Sequence, residues 1–141
     1  MKVCSFEIAK TLDEKGISIP SKDIYTLEDI SYFPPRRDDE HFAKIGDLIR
    51  DYDNCEYLEN SEKIGIYAPY LIDILNWLAV NKQIYVSINW IPYNGTNNSK
   101  VCTYHIEWTK YIRTFDCEGN IFFSYEDAIE AAIKEILILL I

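Results

Sequence analysis

The sequence is poor in the residues that metal sites and covalent catalysis use most. Only two histidines, His41 and His105, occur in the 141 residues, and the four cysteines are widely spaced with no C-x-x-C pair. A metal ion needs three or four converging ligands, which this spacing does not supply. None of the five glycines belongs to a phosphate-binding loop or a dinucleotide fingerprint. The sequence therefore predicts no metal and no cofactor, and it specifies no reaction.

Positive charge is also scarce, with 14 Lys and Arg against 23 Asp and Glu and a formal net charge of -9. Such a chain repels a phosphate backbone at long range, so we expect no generic binding to DNA or RNA. The one adjacent basic pair, Arg36-Arg37, follows two prolines and precedes residues 38–40, which are all acidic. We expect these acids to neutralise the pair. The alternative is an arginine pair on a stiffened loop that holds a phosphate bidentately.

Long apolar runs are missing. The longest, residues 136–141, is far too short to span a bilayer, so we expect no membrane association. The first residues lack the apolar segment of a signal peptide. We therefore expect a cytosolic setting, with reduced thiols at Cys4, Cys55, Cys102 and Cys117.

What the sequence does contain is a pair of strictly alternating apolar and polar stretches. They predict adjacent antiparallel strands at about residues 84–91 and 101–109. A two-residue turn at Asn94-Gly95 would place the apolar residues of one strand on the polar face of the other. We therefore expect a longer loop or a bulge between Pro92 and Lys100. The register then pairs Trp90, Ile88, Val86 and Ile84 with Cys102, Tyr104, Ile106 and Trp108, or lies two residues away, and Ile88 and Ile106 should be fully buried.

Three segments have the pattern of amphipathic helices, at about residues 5–14, 69–81 and 124–140. Each has a start signal: Ser5 as N-cap, Pro69 at the first helical position, and Ser124 with Asp127 in a capping box. Apolar residues at three- and four-residue steps predict a further helix over residues 39–52. Short strands are expected at residues 24–27 and 121–123. The pattern predicts an α+β fold in a single domain (residues 1–141), an antiparallel sheet with helices packed on it.

His105 is the strongest candidate for chemistry. Alternation places it on one strand face with Thr103 and Glu107. A catalytic interpretation makes His105 a general base oriented by Glu107, with Cys102 or Cys117 as nucleophile. By the same alternation, however, the Cys102 side chain belongs to the opposite, apolar face. We therefore favour a polar cross-strand row that faces solvent.

Aromatic residues are the more suggestive feature, with eleven tyrosines and three tryptophans in so small a chain. Tyrosine and tryptophan bury large areas at little entropic cost and are favoured in interfaces. The alternative is that most of them lie at the edge of the core with only their polar tips in water. The tyrosines that we expect at the surface are Tyr67, Tyr70, Tyr85, Tyr93 and Tyr111.

Several segments together resemble a family of small uncharacterised proteins encoded by phages and prophages of Bacteroides-group gut bacteria. They are residues 5–16 (SFEIAKTLDEKG), Tyr67-Ala68-Pro69 with Trp77-Leu78, the strand from Ile84 to Ile88, and residues 124–132 (SYEDAIEAA). The resemblance does not cover residues 31–61, which look like an insertion. It implies a phage protein in the cytoplasm of a host bacterium, and it implies no reaction.

The function we expect is that of a non-catalytic accessory protein that binds a host or phage protein through an aromatic-rich surface. One alternative is a small-ligand binder that sequesters a nucleotide signal in phage counter-defence, and a second is a small hydrolase. Homo-oligomer formation is compatible with each role. The candidate binding residues are Tyr93, Tyr85, Tyr111, Arg36, Arg37 and His105.

Overall fold

The structure, a computed structural model, describes residues 2–36, 39–57, 65–93 and 96–141, and for residues 96–99 it describes the backbone alone. Its internal contacts divide the chain into an N-terminal unit, Val3–Tyr70, and a C-terminal unit built by Leu71–Ile141 with Met1–Lys2. Helices and antiparallel sheets occur in both units. The predicted α+β class is confirmed.

The N-terminal unit begins with helix α1 (Phe6–Glu14), as the sequence predicted. Ser5 caps it, since its hydroxyl accepts a hydrogen bond from the Ile8 backbone N–H at 3.3 Å. In the described part of this unit six short strands follow: β1 (Ile24–Thr26), β2 (Ile30–Phe33), β3 (His41–Ala43), β4 (Leu48–Ile49), β5 (Glu56–Tyr57) and β6 (Gly65–Tyr67). They form two three-stranded antiparallel sheets, in the orders β4-β1-β6 and β3-β2-β5.

The helix predicted over residues 39–52 is wrong. This segment contains β3 and β4, and a short 3-10 helix (Tyr52–Asn54) follows. Between the two strands the chain turns at Gly46, whose φ of +88° is a left-handed conformation that interrupts an α-helix. The side chains of Asp47 and Asp29 accept hydrogen bonds from the backbone N–H groups of Lys44 and Ile45. These acids hold the turn, so strand pairing overrides the helical spacing.

The C-terminal unit contains a three-stranded antiparallel sheet in the order β7-β8-β9, with two helices. A short 3-10 helix (Thr109–Tyr111) and Ile112, at a φ of +52°, separate the second strand of this sheet from the third. The elements are α2 (Leu71–Lys82), β7 (Ile84–Tyr93), β8 (Thr96–Trp108), β9 (Arg113–Asp116) and α3 (Tyr125–Leu139).

The register of the hairpin formed by β7 and β8 confirms the prediction. Trp90 lies opposite Cys102 and Ile84 opposite Trp108, and a register shift occurs between Pro92 and Tyr93. Phe122 forms a single bridge with Cys102, where a short strand over residues 121–123 was expected. Ser124 is the N-cap of α3, as expected, because the Asp127 N–H donates to the Ser124 hydroxyl at 3.1 Å, which is one of the two bonds of the predicted capping box.

The helices cover one face of this sheet, on which Cys102, Tyr104 and Ile106 are buried. Ile88 lies on the predicted face, yet it is only half-buried, so the expectation of full burial is wrong for this residue. Along β7 the alternation of exposed with buried or half-buried residues ends at Asn89, and residues 89–93 are all exposed. The far end of β7 therefore has little cover on either face.

The four cysteines are free thiols, and three of them are buried. This agrees with the expectation of reduced cysteines. Within the described ranges, no helix combines the length and the apolar character that a membrane crossing requires.

Candidate functional site

The candidate site is the outer face of the C-terminal sheet, opposite the helices. Residues at odd positions of β8 from Val101 onward have their side chains on this face, together with their partners on β7 and β9. The face has an apolar end, where Ile91 lies opposite Val101, and a polar middle, where Asn89 lies opposite Thr103. At the other end of the hairpin Tyr85 lies opposite Glu107.

The apolar end of this face is formed by Ile91, Tyr93, Val101 and Phe123, which we call the outer patch. The Cys102 N–H donates to the Phe122 carbonyl at 2.6 Å, and the Phe122 N–H donates to the Cys102 carbonyl at 2.9 Å. This bridge sets Phe123 beside Val101. The rings of Tyr93 and Phe123 then meet edge to face, with centroids 5.8 Å apart and an interplanar angle of 74°.

Burial within the outer patch is uneven. Val101 is 2% exposed, whereas Tyr93 is 36% and Phe123 is 70% exposed. Phenylalanine has no polar atom that gains from contact with water, so an exposed phenylalanine ring contributes little free energy until another molecule covers it. Clustered exposed apolar side chains with a polar surround are typical of a surface that contacts a partner.

The polar middle of the outer face is organised around His105. Its Nδ1 lies 2.5 Å from Asp116 Oδ1, and its Nε2 lies 3.5 Å from Glu107 Oε1. The hydrogen bond to Asp116, aided by the charges of both carboxylates, raises the pKa of His105 against the opposing effect of desolvation. His105 and the two carboxylates form a polar rim beside the outer patch.

The structure does not bring His105 together with either predicted nucleophile. Cys102 is fully buried on the helix-covered face, and burial raises the pKa of its thiol, which disfavours the reactive thiolate. The thiol of Cys117 is also buried and donates to the Asn120 carbonyl at 3.0 Å. The residue opposite His105 on β7 is Ser87. No hydrogen bond joins the two side chains in the described part of the chain.

The remaining tyrosine candidates occupy separate places. Tyr85 is exposed on the outer face, but at the far end of the hairpin from the outer patch. Tyr111 is exposed beyond the C-terminal end of β8, where its ring meets Trp108 at a centroid distance of 4.5 Å. In the N-terminal unit Tyr67 is exposed, whereas Tyr70 is half-buried, so the expectation for Tyr70 is wrong.

The arginine pair can be followed only in part. Arg36 is exposed in the N-terminal unit with a φ of +62°, and Arg37 lies outside the described residues. A cleft of about 150 Å³ in that unit is lined by Asp13, Ser18 and Tyr67 among others. A second, of about 290 Å³ in the C-terminal unit, is lined by three carboxylates, those of Asp116, Glu118 and Glu135. Neither cleft has a lysine or arginine in its wall, so a phosphate group would find no countercharge there.

Sequence reasoning missed Phe123, the most exposed member of the outer patch. The segment Ile121-Phe122-Phe123 was expected to be a short strand, but its three consecutive apolar residues do not indicate which of them faces the core.

Among the residues that the structure describes, no three His, Cys, Asp or Glu side chains are grouped so as to hold a metal ion. Protein-family models, curated proteins and solved structures gave no match to this chain.

Proposed function

We propose that this chain is a non-catalytic binding protein that holds a protein partner on the outer patch. The observation that carries this proposal is the exposed edge-to-face pair of Tyr93 and Phe123 above the buried Val101. The two rings already contact each other edge to face, so less side-chain entropy is lost when a partner covers them.

The surroundings of the outer patch favour a protein over a small molecule. Interfaces between proteins combine a few apolar anchors with a polar rim, and Asn89, Thr103 and His105 lie on the same face as the outer patch. Small ligands bind instead in concave pockets that bury most of their surface. The outer patch lies on a sheet face and lines neither of the two clefts described above.

The setting of the proposal is a phage protein in the cytoplasm of a host bacterium, with a host or phage protein as partner. The resemblance of the segments quoted above supports this setting. Counter-defence is one role that such binding would serve. A nucleotide-sequestering role has weaker support, because Arg36 is the one member of the arginine pair that the structure describes and the residues lining the two clefts include no lysine or arginine.

A hydrolase is the second candidate, and the pairing of His105 with Asp116 favours it. A carboxylate at Nδ1 orients an imidazole for general-base catalysis. The opposite nitrogen, however, lies near the Glu107 carboxylate rather than a nucleophile. His105, Asp116 and Glu107 also fit the polar rim of a binding surface, so the binding role is the better supported one.

The experiment is affinity capture from a lysate of the host bacterium, with the wild-type chain and two variants as bait. Phe123→Ala removes the most exposed ring of the outer patch, and Tyr111→Ala removes an exposed ring elsewhere. We expect a protein retained in stoichiometric amount by the wild type and by Tyr111→Ala, and lost with Phe123→Ala. Retention by all three baits, or capture of a phosphate-bearing small molecule alone, would contradict the proposal.

A further inference from the structure

The hairpin contains the longest stretch of the sequence without a charged side chain. From Gln83 to Ser99, seventeen consecutive residues include no Asp, Glu, Lys or Arg, in a chain of which 26% is charged. The next longest such stretch, from Ile64 to Ile72, has nine residues. The uncharged stretch contains all of β7, and within the described residues β7 is an edge strand, because β8 is its one partner.

The backbone hydrogen bonds identify which residues of β7 direct their N–H and carbonyl groups to the free edge of the sheet, away from β8. The N–H and carbonyl of Cys102 are both bonded to Phe122, so they point away from β7. The opposite residue, Trp90, therefore has its own N–H and carbonyl on the outer edge, and by alternation so have Val86 and Ile88. The Gln83 carbonyl accepts a hydrogen bond from the Thr109 N–H, so the backbone groups of this odd-numbered residue are directed toward the neighbouring chain segment and not toward the free edge. This agrees with the alternation. No described residue forms a backbone hydrogen bond with the outward groups of Val86, Ile88 and Trp90.

Protection of this edge is slight. Natural edge strands are short, or carry charges, prolines or bulges that prevent pairing with another chain. Here β7 has ten residues and no charge, and both Pro92 and the register shift lie at its last two positions. Trp90 is 50% exposed and Ile91 39% exposed, on opposite faces of the strand. The edge thus offers backbone donors and acceptors flanked by uncovered apolar side chains.

We propose that two copies of this chain pair along β7, antiparallel and with the two-fold axis at Asn89. In this register Ile88 lies opposite Trp90 of the second copy, and Val86 opposite Pro92. On the outer face Tyr85 lies opposite Tyr93, and Ser87 opposite Ile91. Cross-strand aromatic and aliphatic pairs of this kind stabilise sheets, and each exposed large side chain of β7 gains a neighbour.

Charge favours a second copy over a different partner. Two chains with a net charge of -9 repel one another, and β7 lets their edges meet without placing like charges opposite each other. An edge built to receive a basic peptide would be lined with carboxylates, and none occurs within the seventeen residues. An uncharged strand suits a second uncharged strand, which β7 itself supplies in every copy.

The pairing does not depend on the proposed function. It gives Ile91 and Tyr93 cross-strand neighbours within the sheet, and it does not cover the outer face on which the outer patch lies. An in-plane antiparallel pair joins two three-stranded sheets into one of six strands, with both outer faces on the same side. Phe123 lies on the opposite side of β8 from β7 and stays outside the new contact. Two outer patches on one continuous face would bind a two-fold symmetric partner with increased avidity.

The first test is the mass of the purified chain by sedimentation equilibrium, without any partner. We expect twice the 16.5 kDa of one chain for the wild type. Asn89→Lys places two like charges together at the two-fold axis and should give the mass of one chain. Thr103→Lys adds the same charge to the same face on the central strand, and it should remain a dimer. A monomeric wild type at about 100 μM, far above a dissociation constant of about 1 μM, or a dimeric Asn89→Lys variant, overturns the proposal.

A second test does not depend on how well the lysine variants fold. Residues opposite each other in a pair of this type have Cα atoms about 4.5 Å apart, within the range that a disulfide spans. In a background of Cys55→Ser, which removes the one cysteine that is not buried, Asn89→Cys should form a covalent dimer on mild oxidation. Ser87→Cys, which lies opposite Ile91, should not. Cross-linking of Ser87→Cys alone, or of neither variant, overturns the register and with it the proposal.

Discussion

His105 Nδ1 lies 2.5 Å from Asp116 Oδ1, so a side-chain hydrogen bond joins the central strand of the C-terminal sheet to the last residue of β9. Asp116 is also the cross-strand partner of His105. The bond shortens and strengthens when the imidazole is charged. Protonation of His105 is therefore coupled to the attachment of β9.

The first prediction is that this pair makes stability depend on pH. Because the pKa of His105 is raised in the folded state, its contribution is fully present below the unfolded pKa of about 6.5. The contribution is lost as the pH rises through the folded pKa. Urea denaturation of the wild type and of His105→Gln should give a difference in unfolding free energy that shrinks as the pH rises above about 6.5.

Asp116→Asn is the control for that prediction. It keeps the shape of the side chain and removes the charge, so the pKa of His105, followed by NMR titration, should fall toward its usual value. A wild-type pKa at or below about 6.5, or a stability difference that is the same at every pH, would contradict the proposed coupling.

The second prediction concerns the core. Ile106 is fully buried on the central strand, whereas Ile88 is half-buried on the edge strand. Ile106→Ala should lower the unfolding free energy by about 2–5 kcal/mol. The loss for Ile88→Ala should be about 1–2 kcal/mol, since it scales with the area removed from water. Equal losses of unfolding free energy in denaturant titrations would contradict this prediction, because they would show that Ile88 is buried as completely as Ile106.

The third prediction concerns the thiols. Cys4, Cys102 and Cys117 are buried as free thiols, and Cys55 is half-buried. No disulfide contributes to the fold, so a reducing agent should leave the Tm unchanged. A disulfide-linked peptide in a non-reducing digest of the protein, together with a lower Tm under reduction, would count against this arrangement.

The hairpin shows what a sequence can predict well. Strict alternation in two long runs determines which residues face the core, and a one-residue slip exchanges the faces. The observed register, with Trp90 opposite Cys102, is therefore one of the two that the pattern allowed, and the shift after Pro92 lies within the segment where a longer loop or a bulge was expected. What the pattern could not show is that β7 is an edge strand, because strand order depends on how distant segments meet.

The segment over residues 39–52 shows the opposite case. Its apolar residues have helical spacing, yet Phe42 and Ile45 are exposed, and the buried residues are Ala43 and Ile49. Pairing of β3 with β2 and of β4 with β1 decides the structure here. The spacing of apolar residues within one segment carries no information about the strands with which that segment can pair.

The candidate site was predictable in part. Tyr93 and His105 were expected on exposed parts of the hairpin, and both lie on the outer face. Phe123 was missed, since its position depends on the bridge between Phe122 and Cys102. That contact joins residues twenty positions apart, and local alternation alone does not define it.

The fourth prediction separates binding from catalysis. Tyr93→Ala should weaken binding of the captured partner at least about 10-fold, or by 1.4 kcal/mol, and leave the fold intact, because its ring contributes little to the core. His105→Ala should change the affinity by less. A hydrolase predicts the reverse: loss of turnover in His105→Ala with binding unchanged.

The most direct measurement is the dissociation constant of the captured partner for the wild type, Phe123→Ala and Tyr93→Ala, determined by titration calorimetry. If the outer patch is the binding surface, each variant should bind at least about 10-fold more weakly. The double variant should lose less than the sum of the two losses in free energy, because the two rings contact each other. Wild-type affinity in both single variants, with the partner still bound, would contradict the central claim that this chain acts through the outer patch.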